Sequence, residues 1–326
     1  MLPVAIDAMG GDDAPQPNLD GAHAALDSGI PVLLVGPDDL PGRGRPDGTE
    51  IDLVVASEVI GMHDDPASGV RRKKDSTLVR AAEAVRDGRA SAMISAGNTG
   101  ATMAAALLRM GRIRGVKRPA IATPVPVPGS SPTVLLDAGA NAEVQADWLV
   151  QFAQMGEIYA RHRFDISSPR VGLLSIGEEA SKGDTLRKEA YELLGATAGL
   201  DFIGNVEGRD VMTDDVDVIV TDGFTGNVVL KTLEGGMKAA LGALLESFQP
   251  PQYKEHADAL MPALLPLYET LSPDTYGGAI LLGVDGVCII SHGSSSAFAI
   301  QNGIGVARDM VECDIVAEMT RVIAGG

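Results

Sequence analysis

Five times in this chain a short apolar run ends in a loop of glycine, serine, asparagine, aspartate or threonine, and a helix-like stretch follows. The loops are Ser95–Gly100, Asp137–Asn141, Ser175–Gly183, Asp222–Asn227 and His292–Ser296. Runs this short and this continuously apolar read as strands buried on both faces. Near-continuous alternation of such strands with helices points to an α/β fold with a largely parallel sheet flanked by helices. In a parallel sheet these loops are expected to share the carboxyl edge, where ligands bind.

The rest of the sequence fits that frame. Of its 326 residues, 45% are hydrophobic, enough for a large core, and 39 are glycines suited to strand-to-helix turns. This length reads as a single α/β/α domain over 1–326, with two lobes around a central cleft as a variant and a protruding helical tip at 241–276. A formal charge of −18 argues against general nucleic-acid binding. The only cysteines, Cys288 and Cys313, lie far apart. They form neither a disulfide framework nor a zinc site, and fit a reducing compartment. No basic-then-apolar leader opens the chain, and no apolar run is long enough to span a bilayer. Localisation is therefore expected to be cytoplasmic.

Helix boundaries follow from capping residues. Ser76 is expected to cap a helix over Thr77–Arg86, Asp147 one over Trp148–Arg161, and Asp184 one over Leu186–Leu194. The proline-rich Thr123–Gly129 reads as a linker, a hinge or an edge strand. Two basic stretches stand out in an acidic chain, Arg71–Lys74 and Arg109–Arg118. Each is either a solvated patch or a docking point for an acidic partner. Leu260, Met261, Leu264, Leu265, Leu267, Tyr268 and Leu271 are too many apolar residues for one soluble helix face. They mark a dimer interface, a helix–helix core or a membrane-touching tip.

The loops carry the chemistry. Ser95, Gly97, Asn98, Thr99 and Gly100 join a strand to a helix. Free amides and the helix dipole make that junction an anion cradle, or else an ordinary turn with Asn98 as the cap. Asp137, Asn141 and Ser294 belong to matching loops. Lys182 is the sharpest single residue: its ammonium either neutralises a phosphate or pairs with Glu178 or Glu179. Asn227 either donates to a developing oxyanion or caps a helix. His292 either moves a proton or is structural. There is no Gly-x-Ser-x-Gly elbow, no Walker loop, no intact dinucleotide fingerprint and no zinc spacing. No cofactor and no metal are expected, and a mechanism relying on protein-positioned phosphate fits better than covalent catalysis.

Seven motifs together resemble one family. They are Asp7-Ala-Met-Gly-Gly-Asp12, Ser95-Ala-Gly-Asn-Thr-Gly100, Leu136-Asp-Ala-Gly-Ala-Asn141, Gly172-Leu-Leu-Ser-Ile-Gly-Glu-Glu179, Gly204-Asn-Val-Glu-Gly-Arg-Asp210, Asp222-Gly-Phe-Thr-Gly-Asn227 and His292-Gly-Ser-Ser295. In this order they look like the bacterial acyl-[acyl-carrier-protein]:phosphate acyltransferases of phospholipid synthesis. The resemblance implies a fold similar to phosphate acetyltransferases and isocitrate/isopropylmalate dehydrogenases. It implies acyl-[acyl-carrier-protein] and inorganic phosphate as substrates, acyl-phosphate as product, a homodimer, and peripheral membrane contact through 250–276. By position it implies that Lys182 and Asn227 are the catalytic pair and that the cradle binds phosphate or the acyl-phosphate. Asp13 stands where the family pattern has histidine, so no role for that histidine carries over. Two other readings compete: a nicotinamide-dependent dehydrogenase of similar fold, and a non-catalytic membrane scaffold.

Overall fold

The computed structural model describes residues 1–324. Eleven strands form one sheet. They are Val4–Asp7 (β1), Val32–Gly36 (β2), Leu53–Val55 (β3), Ala92–Ser95 (β4), Ala120–Val125 (β5), Thr133–Leu136 (β6), Arg170–Leu174 (β7), Asp201–Val206 (β8), Val218–Val220 (β9), Ala279–Leu282 (β10) and Val287–Ile290 (β11). Their spatial order is β3-β2-β1-β4-β11-β10-β5-β6-β9-β7-β8.

Period-two alternation sorts the strand residues onto two faces. Ile6, Ile94 and Ile289 pack into one core layer, while Ala5, Met93 and Cys288 pack into the other. The first layer is closed by the helices Gln16–Asp27 (α1), Ala146–Phe164 (α5), Thr185–Gly195 (α6), Ala297–Glu312 (α9) and Ile315–Ala324 (α10). Pro66–Arg72 (α2), Thr77–Arg86 (α3) and Thr99–Arg109 (α4) lie over the other. Near-continuous apolar strands between two helical layers are what full burial on both faces demands.

The strand direction reverses at three successive junctions in the middle of the sheet. β10 pairs antiparallel with both β11 and β5, and β6 pairs antiparallel with β5. The other neighbouring strands are parallel. As a result β6, β9, β7 and β8 run opposite to β1, β2, β3, β4 and β11. The five loops therefore do not share an edge, which corrects the expectation from the alternating pattern. Ser95–Gly100 and His292–Ser296 leave one end of the strands; Asp137–Asn141, Ser175–Gly183 and Asp222–Asn227 leave the other. β4 and β6 are also four interstrand steps apart, about 19 Å.

Three local expectations change as well. Thr123–Gly129 is no linker, because Ala120–Val125 is an interior strand between β10 and β6. β10 begins at Ala279, one residue beyond the Ile280–Ala122 pair, so Pro124 lies where that ladder has ended. Its missing N–H therefore costs little there. Helix α5 starts at Ala146 after Gln145, so Asp147 sits in its first turn and favours the helix dipole without capping. Ser76 and Asp184 do cap their helices, accepting from Val79 N and Arg187 N.

The helices Gly223–Ser247 (α7) and Lys254–Leu271 (α8) stand apart from this pattern. Only Gly223 and Gly226 of α7 are buried, and no residue of α8 is. Val229, Leu230 and Leu233 seat the first half of α7 on the sheet. No described helix is long and apolar enough to cross a membrane.

Candidate active site

The end of the sheet reached by β6, β7 and β9 is built on a buried carboxylate. Asp137 is fully buried and accepts from the amides of Ile121, Gly139, Ala140 and Asn141 and from Asn141 Nδ2, at 2.7–3.1 Å. Burial pushes its carboxyl above the usual range, against the pull of these donors. Asn141 Nδ2 also reaches Pro119 O at 2.8 Å, which ties the loop to the start of β5. Asp137 and Asn141 are thus organisers of the loop.

Helix α7 is seated directly on this loop. Asp222 caps it through Thr225 N, so the helix begins at Gly223 and Asn227 is not its cap. Gly223 N donates to Asn141 O at 2.7 Å. A Cβ on Gly226 would lie 2.0 Å from Asp137 O, and one on Gly223 2.7 Å from Asn141 O. Only glycine lets the helix come this close. One turn in, Asn227 Nδ2 donates to Ala138 O at 3.2 Å. Its second amide hydrogen is free for another acceptor.

Lys182 belongs to the neighbouring loop, after β7. Its stem rests on Gly177, where a Cβ would lie 2.8 Å from Lys182 Cγ. Its ammonium makes no ion pair with Glu178 or Glu179; Glu178 pairs with Arg209 at 2.9 Å. The exposed charge is therefore uncommitted. Beside it lies a hollow of about 350 Å³ lined by Leu174, Ser175, Ile176, Gly183, Asp184, Arg187 and Thr225. Ser175 Oγ is shut off from water and has no hydrogen-bond partner.

Arg187 joins the two loops. Its guanidinium bonds Asp184, the cap of α6, at 3.1 Å, and also Asp222, the cap of α7. It reaches Thr225 Oγ1 at 3.3 Å. Burial alone would raise the Asp222 carboxyl, but the Thr225 amide and hydroxyl and the Arg187 charge hold it below the usual range. Nothing in the spacing of the sequence singles out Arg187; its one signal is a position three residues after the cap Asp184. Ser175 was legible only as a member of its loop.

The opposite end of the sheet holds the remaining sequence-picked residues. Ser95 Oγ donates to buried Asp7 at 2.7 Å and accepts from Gly97 N at 3.0 Å. Asn98 Oδ1 caps α4 through Ala101 N, and its Nδ2 holds Met62 O at 2.9 Å and Asp64 O at 3.2 Å. Gly100 sits against Pro66. The Thr99 and Gly100 amides begin α4. His292 Nδ1 lies 3.0 Å from Ser294 Oγ, and Gly293 O accepts from Asp12 N at 2.8 Å. Within one chain, Ser95, Gly97, Asn98, Thr99, Gly100, His292 and Ser294 therefore do not share a hollow with Lys182.

Comparison with known proteins bears directly on this constellation. Residues 2–318 match the family described as fatty acid synthesis protein. The chain belongs to that family. A protein named phosphate acyltransferase from Streptococcus equi subsp. zooepidemicus is 44% identical over 323 residues, covering 98% of this chain and 96% of the relative. Another of that name, from Pelotomaculum thermopropionicum, is 48% identical over 318 residues, covering 95% and 92%. Among solved structures, a phosphotransacetylase from Streptococcus pyogenes superposes with a TM-score of 0.63 at 17% identity, covering 95% and 94%. That likeness shows a shared fold.

Proposed function

We infer that this chain transfers the acyl group of acyl-[acyl-carrier-protein] to inorganic phosphate, releasing acyl-phosphate and the free carrier for phospholipid synthesis. The observation that carries the reading is an unpaired ammonium, Lys182, held on the same strand end as Asn227 by the Arg187 bridge. Phosphate bound at Lys182 is aimed at the thioester carbonyl. A phosphate oxygen forms the new bond to carbon as the carbonyl electrons move to oxygen, where the free N–H of Asn227 faces the developing charge. The intermediate collapses, the carbon–sulfur bond breaks, and the carrier leaves as its thiolate. Holding both reactants in place supplies much of the acceleration without a covalent enzyme intermediate.

In this reading the cradle residues at the far end, with His292 and Ser294, take no part in the step within one chain. Arg112, Arg114, Lys117 and Arg118 precede β5 at the same end as Asn141, and we assign carrier docking to them. Arg71–Lys74 is demoted, because Lys73 is already tied to Asp64 at 2.6 Å and to Val59 O at 2.7 Å. The unpartnered faces of α7 and α8 support a homodimer, with peripheral membrane contact through 250–276 of a cytoplasmic enzyme. Mixing purified protein with acyl-[acyl-carrier-protein] and phosphate tests the activity. Free carrier should appear only with phosphate present, and phosphate-independent release would point to a thioesterase.

A further inference from the structure

Ile176 and Phe224 are 81% and 67% exposed, the two most exposed large apolar side chains among the described residues. Ile176 belongs to the loop that carries Lys182, and Phe224 to the first turn of α7, the helix that carries Asn227. Ile176 lines the hollow beside Lys182, and so does Thr225, the residue after Phe224. Val228, 50% exposed, lies one helical turn beyond Phe224 on the same face of α7. Asn227 lies three residues from Phe224, on the edge of that face. Ile176, Phe224 and Val228 thus expose apolar surface at the same strand end as the Asn227 amide and the unpaired Lys182 ammonium.

We propose that Ile176, Phe224 and Val228 form the landing strip for the acyl chain next to the reacting carbonyl. The strip makes this chain select acyl donors by their first methylenes. The occupant follows from the chemistry at the two ends: a group that places anionic oxygen at Lys182 and trails hydrocarbon along α7 is an acyl-phosphate. Ile176 on its loop and Phe224 in the first turn of α7 would both contribute to covering such a chain. The proposal rests on the acyl-transfer reading above and extends it to residues that the reaction itself does not require.

Unreactive alkyl phosphonates, from butyl to dodecyl and kept below their aggregation concentration, test it by calorimetry without turnover. The wild-type chain should bind more tightly by about two- to fourfold for each added methylene near the head, the range for partial to full cover of a CH₂. Ile176→Ser and Phe224→Ser should flatten that slope. Both side chains are exposed, so the variants should unfold like wild type. An unchanged slope in both variants overturns the proposal. So does a wild type that binds every chain length alike, or variants whose only change is the mass of the particle, which would make the strip a subunit contact. Acyl-phosphate formation is read separately. Its absence, with a chain-length slope present, counts against the acyl-transfer reading and leaves the strip standing.

Discussion

The Arg187 guanidinium donates to the Asp222 carboxylate while also holding Asp184, so one side chain joins the caps of the two helices that follow the Lys182 and Asp222 loops. The Arg187 and Asp222 side chains are only 13% and 9% exposed. Arg187→Gln leaves Asp222 without its charge partner and should cost about 2–4 kcal/mol in denaturant unfolding. Turnover should fall more than the loss of folded protein accounts for. Arg187→Lys, which cannot fork between both caps, should recover little of it.

The same pair sets an acid limit. The folded Asp222 pKa is depressed, so its contribution is fully present above the unfolded value of about 3.9 and fades as pH falls through the folded value. Stability of the wild type should therefore drop on the acid side more steeply than that of Asp222→Asn, measured as unfolding free energy against pH. Parallel curves would contradict this.

Glycines of α7 should divide by position. Gly226→Ala drives a methyl into Asp137 O and should cost about 3 kcal/mol or more, moving Asn227 with the helix. Gly235→Ala and Gly236→Ala meet nothing within 4 Å and should gain up to about 1 kcal/mol from helix propensity. Thermal unfolding of the three variants distinguishes them.

Much of this arrangement was legible in the residues. Short apolar runs ending in glycine-rich loops gave the layered α/β fold, and Ser76 and Asp184 marked helix starts correctly. The reversals of the sheet were missed because β5, β6, β10 and β11 are almost wholly buried, so none shows an alternating pattern that reports direction. A hairpin signal was present: Asp285-Gly286 stands between Ala279–Leu282 and Val287–Ile290. Gly286 takes a φ of 157° and Gly283 one of 89° there. That hairpin turns β10 against β11, and three of the five loops leave the other end because β5 also runs antiparallel to both β10 and β6. Asn227 was misplaced as a possible cap for a different reason. Asp222 and Thr225 both have capping chemistry, and only the fit of Gly223 and Gly226 onto the Asp137 loop decides where the helix begins.

Carrier docking should map to one end of the sheet. Arg114→Glu and Arg118→Glu should raise KM for acyl-[acyl-carrier-protein] about three- to tenfold with kcat little changed, and the effect should shrink with added salt. Arg71→Glu and Arg72→Glu, near the other end, should have a smaller effect. The reverse ranking would place the carrier beside the Ser95 cradle.

The most direct measurement is the rate of acyl-phosphate formation from acyl-[acyl-carrier-protein] and phosphate by wild type and Lys182→Ala, with the melting temperature of each. Lys182 is exposed and unpaired, so the variant should melt like wild type while its rate falls about a hundred- to a thousandfold. A variant that keeps the wild-type rate would remove the ammonium from the reaction, and with it the account of this end of the sheet.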